Sequence, residues 1–351
     1  MFAELPEFKA WILRSVPGTP FEKSKFKQSN TELDVRIVGM VRGKPDDELF
    51  IADVENRAVR SFNVTAAPTD VPSETPEKLP VYKLNLHLVY RMCEGENLKD
   101  IAYSSENDTL LVVSSDPNKQ LITIRSFART PSEWRQCCSH TMKSKAQENR
   151  CTLRALSDGR LVFGVWGAIL VPADSRSRSQ QPTKTTRQEA AAACHKESKL
   201  GDELQVLTLT RDNSRKIQEK TCIKLPASHS GFDAKLVGNR GEMWVAAALW
   251  FDAVALFRVV GDRVEELFRF KCECPQLPLF YGDNLLVCRW PSLTPSTSAD
   301  VLELSITEGQ IKLLRTLSDL TNYWWTAWCV VPNGLAAYGY ETGKLTLYSN
   351  F

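Results

Sequence analysis

Short apolar runs separated by turn residues recur about six times along the chain. The clearest copy is Asp47-Glu48-Leu49-Phe50-Ile51-Ala52-Asp53-Val54-Glu55-Asn56-Arg57-Ala58-Val59-Arg60-Ser61-Phe62, which reads as turn, strand, turn, strand. Further copies centre on Leu110-Leu111-Val112, Leu161-Val162-Phe163, Met243-Trp244-Val245, Leu285-Leu286-Val287 and Leu335-Ala336-Ala337. Taking Phe50, Leu111, Val162, Trp244, Leu286 and Ala336 as centres, the separations are 61, 51, 82, 42 and 50 residues. A four-stranded repeat occupies ~40–45 residues, so the longer intervals must contain insertions. Two segments supply them: about 65–80, rich in Pro, Thr and Glu, and about 172–202, a low-complexity stretch containing Ser175-Arg176-Ser177-Arg178-Ser179. Neither composition can bury a core, and both are expected as mobile surface loops.

Turn chemistry divides each repeat into strands. In the fourth copy, Ala234–Val237, Glu242–Ala248, Ala253–Val260 and Val264–Phe270 are separated by Asn239-Arg240-Gly241 and Gly261-Asp262-Arg263, with glycine supplying the positive φ of a tight turn. The last copy stops after its third strand, Leu345–Tyr348, while an orphan strand candidate, Phe8–Arg14, precedes the first inner strand, Leu33–Met40. Pairing the orphan with the last repeat removes an exposed edge. The expected fold is therefore all-β: one domain spanning residues 1–351, a six-bladed β-propeller closed by the N-terminal strand.

Charge and cysteine usage narrow the function classes. The balance is 44 − 42 = +2, so no global field attracts nucleic acid or an anionic membrane. No apolar run reaches the ~18 residues of a membrane-crossing helix, and the acidic N-terminal residues do not suit a secretory leader. The expectation is a cytoplasmic protein, a monomer within a larger complex, whose ten cysteines are reduced thiols. The four histidines show no metal-ligand spacing, and Cys137-Cys138 and Cys272-Glu273-Cys274 are too sparse for a zinc site. No nucleophile elbow or phosphate-cradling glycine loop is present, and no cofactor is expected.

The stretch Leu49–Phe62 resembles the NHL repeat, whose core reads roughly L-Y-V-A-D-x-x-N-x-R-I-x-x-F; Asp53, Asn56 and Arg57 fall on its polar positions. The later copies keep the strand pattern and lose these polar residues. The segment Leu256-Phe257-Arg258-Val259-Val260-Gly261-Asp262-Arg263-Val264-Glu265-Glu266-Leu267 is also similar to propeller-like proteins of invertebrates. Both resemblances imply the propeller fold. Neither implies a ligand, because this fold hosts enzymes, RNA binders and scaffolds.

In such a ring the loops joining second to third strands share the top face. There the sequence places Arg57, Trp166, Trp250, Arg289, Trp290 and Tyr340, with Trp325 at the start of the last inner strand. Aromatics and arginine on one face suit partner binding, because they bury much area at small entropic cost. The bland alternatives are packing between blades for the aromatics, and a turn in which Arg57 pairs with Asp53. The inner-strand segments contribute mainly cations: Arg36, Arg154 and Lys235. A cationic channel repels the metal that lactonase-like propellers hold. The resulting expectation is a non-catalytic protein-interaction platform. Binding of single-stranded RNA, as NHL propellers do, is the first alternative, and a metal-dependent lactonase-like hydrolase is a disfavoured second. The segment 172–200 carries six cations, Arg176, Arg178, Lys184, Arg187, Lys196 and Lys199, against three anions, Asp174, Glu189 and Glu197, and reads as a solvated loop or a phosphorylatable docking tail.

Overall fold

In a computed structural model of the chain, residues 8–12, 36–44, 48–63, 87–143, 149–167, 203–212, 214–227, 229–238, 241–249, 253–272, 275–289, 299–307, 310–321, 325–331, 334–339 and 344–350 are described. The expected insertions at 65–80 and 172–202 lie outside the described residues.

Every regular element among the described residues is a strand. The first, β1 (Phe8–Ile12), belongs with the last, as set out below. The first sheet in chain order contains β2 (Ile37–Arg42), β3 (Glu48–Asp53), β4 (Ala58–Asn63) and β5 (His87–Arg91), and the second β6 (Asn97–Ser104), β7 (Thr109–Asp116), β8 (Leu121–Arg129) and β9 (Trp134–Lys143). The third holds β10 (Asn149–Ala155), β11 (Arg160–Gly167), β12 (Glu203–Leu209) and β13 (Ile217–Lys224). The fourth holds β14 (His229–Val237), β15 (Glu242–Leu249), β16 (Ala253–Val260) and β17 (Arg263–Lys271). The fifth holds β18 (Pro275–Tyr281), β19 (Asn284–Arg289), β20 (Ala299–Thr307) and β21 (Gln310–Thr321). The last consists of β22 (Trp325–Val331), β23 (Gly334–Gly339) and β24 (Lys344–Asn350), with β1 added beyond β24. β1 runs antiparallel to β24 in the register Phe8↔Asn350 to Ile12↔Thr346, so the two ends of the described chain share one sheet.

The first strand of each sheet touches that of the next: β2 with β6, β6 with β10, β10 with β14, β14 with β18, β18 with β22, and β22 again with β2. Sheets radiating from a closed ring of first strands define a β-propeller. The turn glycines behave as their positions require. Gly241 and Gly261 adopt φ of 71° and 64°, in the left-handed region that costs an L side chain energy.

The second strands explain why the apolar runs are continuous rather than alternating. All six residues of β3 are buried. Leu49 and Ile51 pack against Ala327, Cys329 and Tyr338 of the last sheet, whereas Phe50 and Ala52 pack against Ile101, Leu110 and Val112 of the second. A strand covered on both faces needs apolar residues at consecutive positions. The same division recurs along the chain: Leu111 and Val113 face the third sheet, and Val162 faces Met243 and Val245 of the fourth. Five packed apolar junctions are described, one fewer than a six-bladed ring requires. Many side chains where the fifth and last sheets meet fall outside the described residues.

A feature absent from the sequence reading is a register shift near the start of the first strand. It occurs at Ile37/Gly39, Leu98/Asp100, His229/Phe232, Gln276/Leu279 and Trp325/Ala327, so five first strands bend at comparable places. A β-bulge bends its strand and increases its twist, which suits a strand that must curve about a common axis.

Small residues set the spacing of the junctions. A Cβ on Gly164 would stand 2.7 Å from Phe232 Cε1 and 2.8 Å from Leu204 Cδ2, both in the buried cluster between the third and fourth sheets. Gly164→Ala is expected to cost about 1–3 kcal/mol through overpacking, read as a lower urea midpoint with an unchanged m-value. Removing residues 1–14 strips β1 from β24 and bares that edge. The truncated protein is expected to unfold at clearly lower temperature by differential scanning calorimetry; an equally stable, monodisperse product would refute the closing role of β1.

Candidate functional site

First strands line the axis of the ring, and polar side chains from three of them, Asp100, Arg154 and Asp233, meet there. Arg154 of β10 occupies the middle of that wall. Its Nε donates to Asp233 Oδ1 of β14 at 2.9 Å, and its Nη1 lies 3.3 Å from Asp100 Oδ2 of β6. Nη1 also donates to the Leu153 carbonyl at 2.8 Å. One guanidinium thus joins three consecutive sheets through two carboxylates. Both carboxylates are occupied further: Asp100 accepts the amides of Ile101 and, across the junction, Leu153, each at 2.9 Å, and Asp233 Oδ2 accepts the amide of Phe280 on β18 at 2.7 Å.

The electrostatics follow from burial. Burial pushes the Asp100 carboxyl above its ordinary 3.8, against the pull of Arg154 and the two amides. For Arg154 burial opposes the charge, but Asp100 and Asp233 outweigh it, and its proton is held more tightly than usual. An ion pair removed from water repays its desolvation only with further hydrogen bonds of this kind.

This arrangement corrects the expectation of a cationic channel. Of the three cations inferred from sequence, Arg154 is matched by Asp100 and Asp233. Lys235 points elsewhere: its Nζ donates to the Gly282 carbonyl at 3.0 Å and lies over the rings of Phe280 and Trp244, at 4.9 and 5.5 Å from their centroids. Arg36 is exposed at the top end of β2. The two aspartates were missed because each directly precedes the apolar residues used to locate its strand, Ile101-Ala102-Tyr103 and Ala234. Their common position, the last polar residue before the apolar run in two repeats, was the available signal.

At the top of the junction between the first and second sheets, Asp53 is fully buried and organises the β3–β4 turn. It accepts the amide and the side-chain nitrogen of Asn56 at 3.2 and 2.7 Å. Its ion-pair partner is Arg60, at 3.3 Å, not Arg57 as the sequence suggested. Burial raises the Asp53 pKa despite these contacts. Arg57, at φ 51°, instead reaches the second sheet's entry loop and donates to the carbonyls of Cys93 and Glu96. Beside it, Arg125 pairs with Glu96 at 2.6 Å and donates to Ser114 Oγ at 2.7 Å. Arg57 is therefore a bridge between sheets as well as a top-face residue.

The aromatic candidates are placed only by their backbone. Trp166 lies on β11 opposite Arg150, and Trp325 begins β22 opposite Gly339. Arg289 ends β19, half-buried and opposite Pro275. Trp250, Trp290 and Tyr340 follow β15, β19 and β23 in sequence and lie outside the described residues. Trp166, Arg289 and Trp325 each stand at an end of their strand.

No family model matches the chain, and no curated protein does. Solved structures do resemble it. A candidate 6-phosphogluconolactonase from Bacteroides fragilis aligns with a TM-score of 0.55 at 11% identity, covering 98% of this chain and 91% of its own. A candidate oxidoreductase (glucose dehydrogenase) from Thermus thermophilus gives 0.53 at 11% identity, with 97% and 100% covered. A luciferin-regenerating enzyme gives 0.52 at 11% identity, with 91% and 93% covered. At these identities the likeness shows the fold alone, a β-propeller, and the NHL resemblance stays confined to Leu49–Phe62.

Arg154→Met leaves two buried carboxylates without their cation and is expected to cost about 3–5 kcal/mol near neutral pH. The folded-state pKa of Asp100 lies above its ordinary value, so its contribution to stability is complete below about pH 4 and is lost as pH rises through the folded value. Removing Arg154 raises that pKa further. The penalty in urea melts should therefore shrink as pH falls from 7 towards 4, and Asp100→Asn in the same background should flatten the dependence.

Proposed function

We propose that this β-propeller is a non-catalytic platform that binds another protein through its top face. The observation that carries the reading is the Asp100–Arg154–Asp233 bridge: the channel carboxylates are engaged by a guanidinium and by backbone amides rather than directed at a ligand. A lactonase-like reading needs carboxylates converging on a metal, and this cation occupies the point of convergence. Supporting the face assignment, Trp166, Arg289 and Trp325 fall at the top ends of three different sheets. The proposal includes six blades, supported by six four-stranded sheets among the described residues and the cyclic contacts of their first strands. It also includes a cytoplasmic location and a monomer that works within a larger complex.

One observation favours single-stranded RNA as a second reading. Arg36, Lys99 and Arg150 stand near the top ends of β2, β6 and β10, and the charge of Arg36 acts on Arg150. Cations gathered at one mouth of a channel suit an anionic chain.

Affinity purification of the full chain, with and without ribonuclease, separates the readings. Trp250→Ala with Trp290→Ala is expected to abolish partner capture while leaving the melting temperature within a degree or two of the parent, since interface aromatics commonly carry ~2 kcal/mol or more each. A fully retained partner set discards the top-face platform, and loss of the set on ribonuclease treatment moves the assignment to RNA.

A further inference from the structure

We infer that Cys137 and Cys138 form a vicinal dithiol that hydroperoxides oxidise to a reversible intrachain disulfide. Adjacent residues of a regular strand point to opposite faces, which keeps their thiols apart. This strand is not regular there. The β8–β9 register runs Ser126↔Cys138 and then Phe127↔Gln136, so Cys137 is the extra residue of a β-bulge.

Burial shows the effect on the two side chains. Beyond the bulge, half-buried Cys138, His140 and Met142 alternate with exposed Ser139, Thr141 and Lys143. Before it, Arg135 and Gln136 are both exposed, and Cys137 is half-buried like Cys138. The bulge thus breaks the strict alternation that would hold the thiols of residues 137 and 138 on opposite faces. Met142, in step with Cys138, packs on the cluster shared by the second and third sheets. Both thiols are reduced and partly open to solvent, and Cys137 Sγ donates weakly to the Arg135 carbonyl at 3.6 Å.

The chemistry needs only a hydroperoxide. One thiolate attacks the O–O bond, takes a hydroxyl oxygen to become a sulfenic acid, and releases hydroxide, which leaves as water after protonation. The neighbouring thiol then attacks the sulfenic sulfur, the S–S bond forms, and a second water leaves. The two thiols lose two hydrogens and one peroxide is reduced to two waters, or to water and an alcohol. A resolving thiol in the next residue competes well against further oxidation. In a reducing compartment such a disulfide is transient, as a sensor requires.

The test is peptide mapping of the folded full chain after dilute hydrogen peroxide, with dimedone present to trap sulfenic acid. In the wild type the peptide holding residues 137 and 138 should become lighter by two hydrogens, and dithiothreitol should restore it. Cys137→Ser and Cys138→Ser should each accumulate dimedone on the remaining thiol. Exposed Cys93 and Cys222 calibrate the dose within the same sample. The inference is overturned if the wild-type peptide stays reduced at a dose that oxidises Cys93. It is equally overturned if that peptide takes up dimedone or oxygen as the single variants do, or if either cysteine links to a different one. The wild-type measurement stands even if a serine variant fails to fold.

Discussion

A sheet whose two faces are both apolar cannot stand in water alone, and every other feature of this fold answers to that constraint. β3 has no exposed position, and its odd and even residues serve different neighbours. Closure into a ring is the arrangement that gives each such sheet two partners without leaving an uncovered end. The joint sheet made by β1 and β24 belongs to the same solution, since it gives the last sheet the four strands that the other five have.

Apolar packing leaves the sheets free to slide, and the polar contacts between them remove that freedom. Many run forward from one sheet to the next. On the bottom face Lys44 donates to the Ser105 carbonyl, Arg160 to that of Gly241, and Lys235 to that of Gly282, each a turn carbonyl of the following sheet. In the channel, Asp100 takes the amide of Leu153 and Asp233 that of Phe280, again one sheet ahead. Near the bottom of the first junction, Arg129 is tied to Glu48 and to the Lys44 carbonyl and lies 4.5 Å over the Trp134 ring. Carbonyls in tight turns have no ladder partner, so a cation from the adjacent sheet meets a need the fold itself creates.

The repeat was legible because burial on both faces writes continuous apolar runs, and because turn glycines such as Gly241 and Gly261 mark strand ends. The third strand of the fourth sheet, Ala253–Val260, matches its reading from sequence residue for residue. Register shifts were not legible, since a bulge depends on the partner strand as much as on the bulged one. The first strand of the fourth sheet shows the cost: Ala234–Val237 was read, and the element begins at His229, before the shift. The channel bridge was hidden for a related reason. Asp100, Arg154 and Asp233 are separated by 54 and 79 positions, so only the closed ring brings them together. Arg57 was read as a local partner of Asp53, whereas its carbonyl acceptors lie 36 and 39 positions away.

Gly39 gives this connectivity an unexpected reach. A Cβ there would stand 2.6 Å from Asp100 Oδ1, so the first sheet makes room for the carboxylate of the second. Asp100 holds Leu153 and Arg154 of the third, Arg154 holds Asp233 of the fourth, and Asp233 holds Phe280 of the fifth. A single added methyl group at position 39 would thus act on an unbroken line of contacts spanning most of the ring. Substitutions at these positions should be strongly epistatic: a change tolerated at one becomes damaging, or is rescued, according to what occupies a site several sheets away.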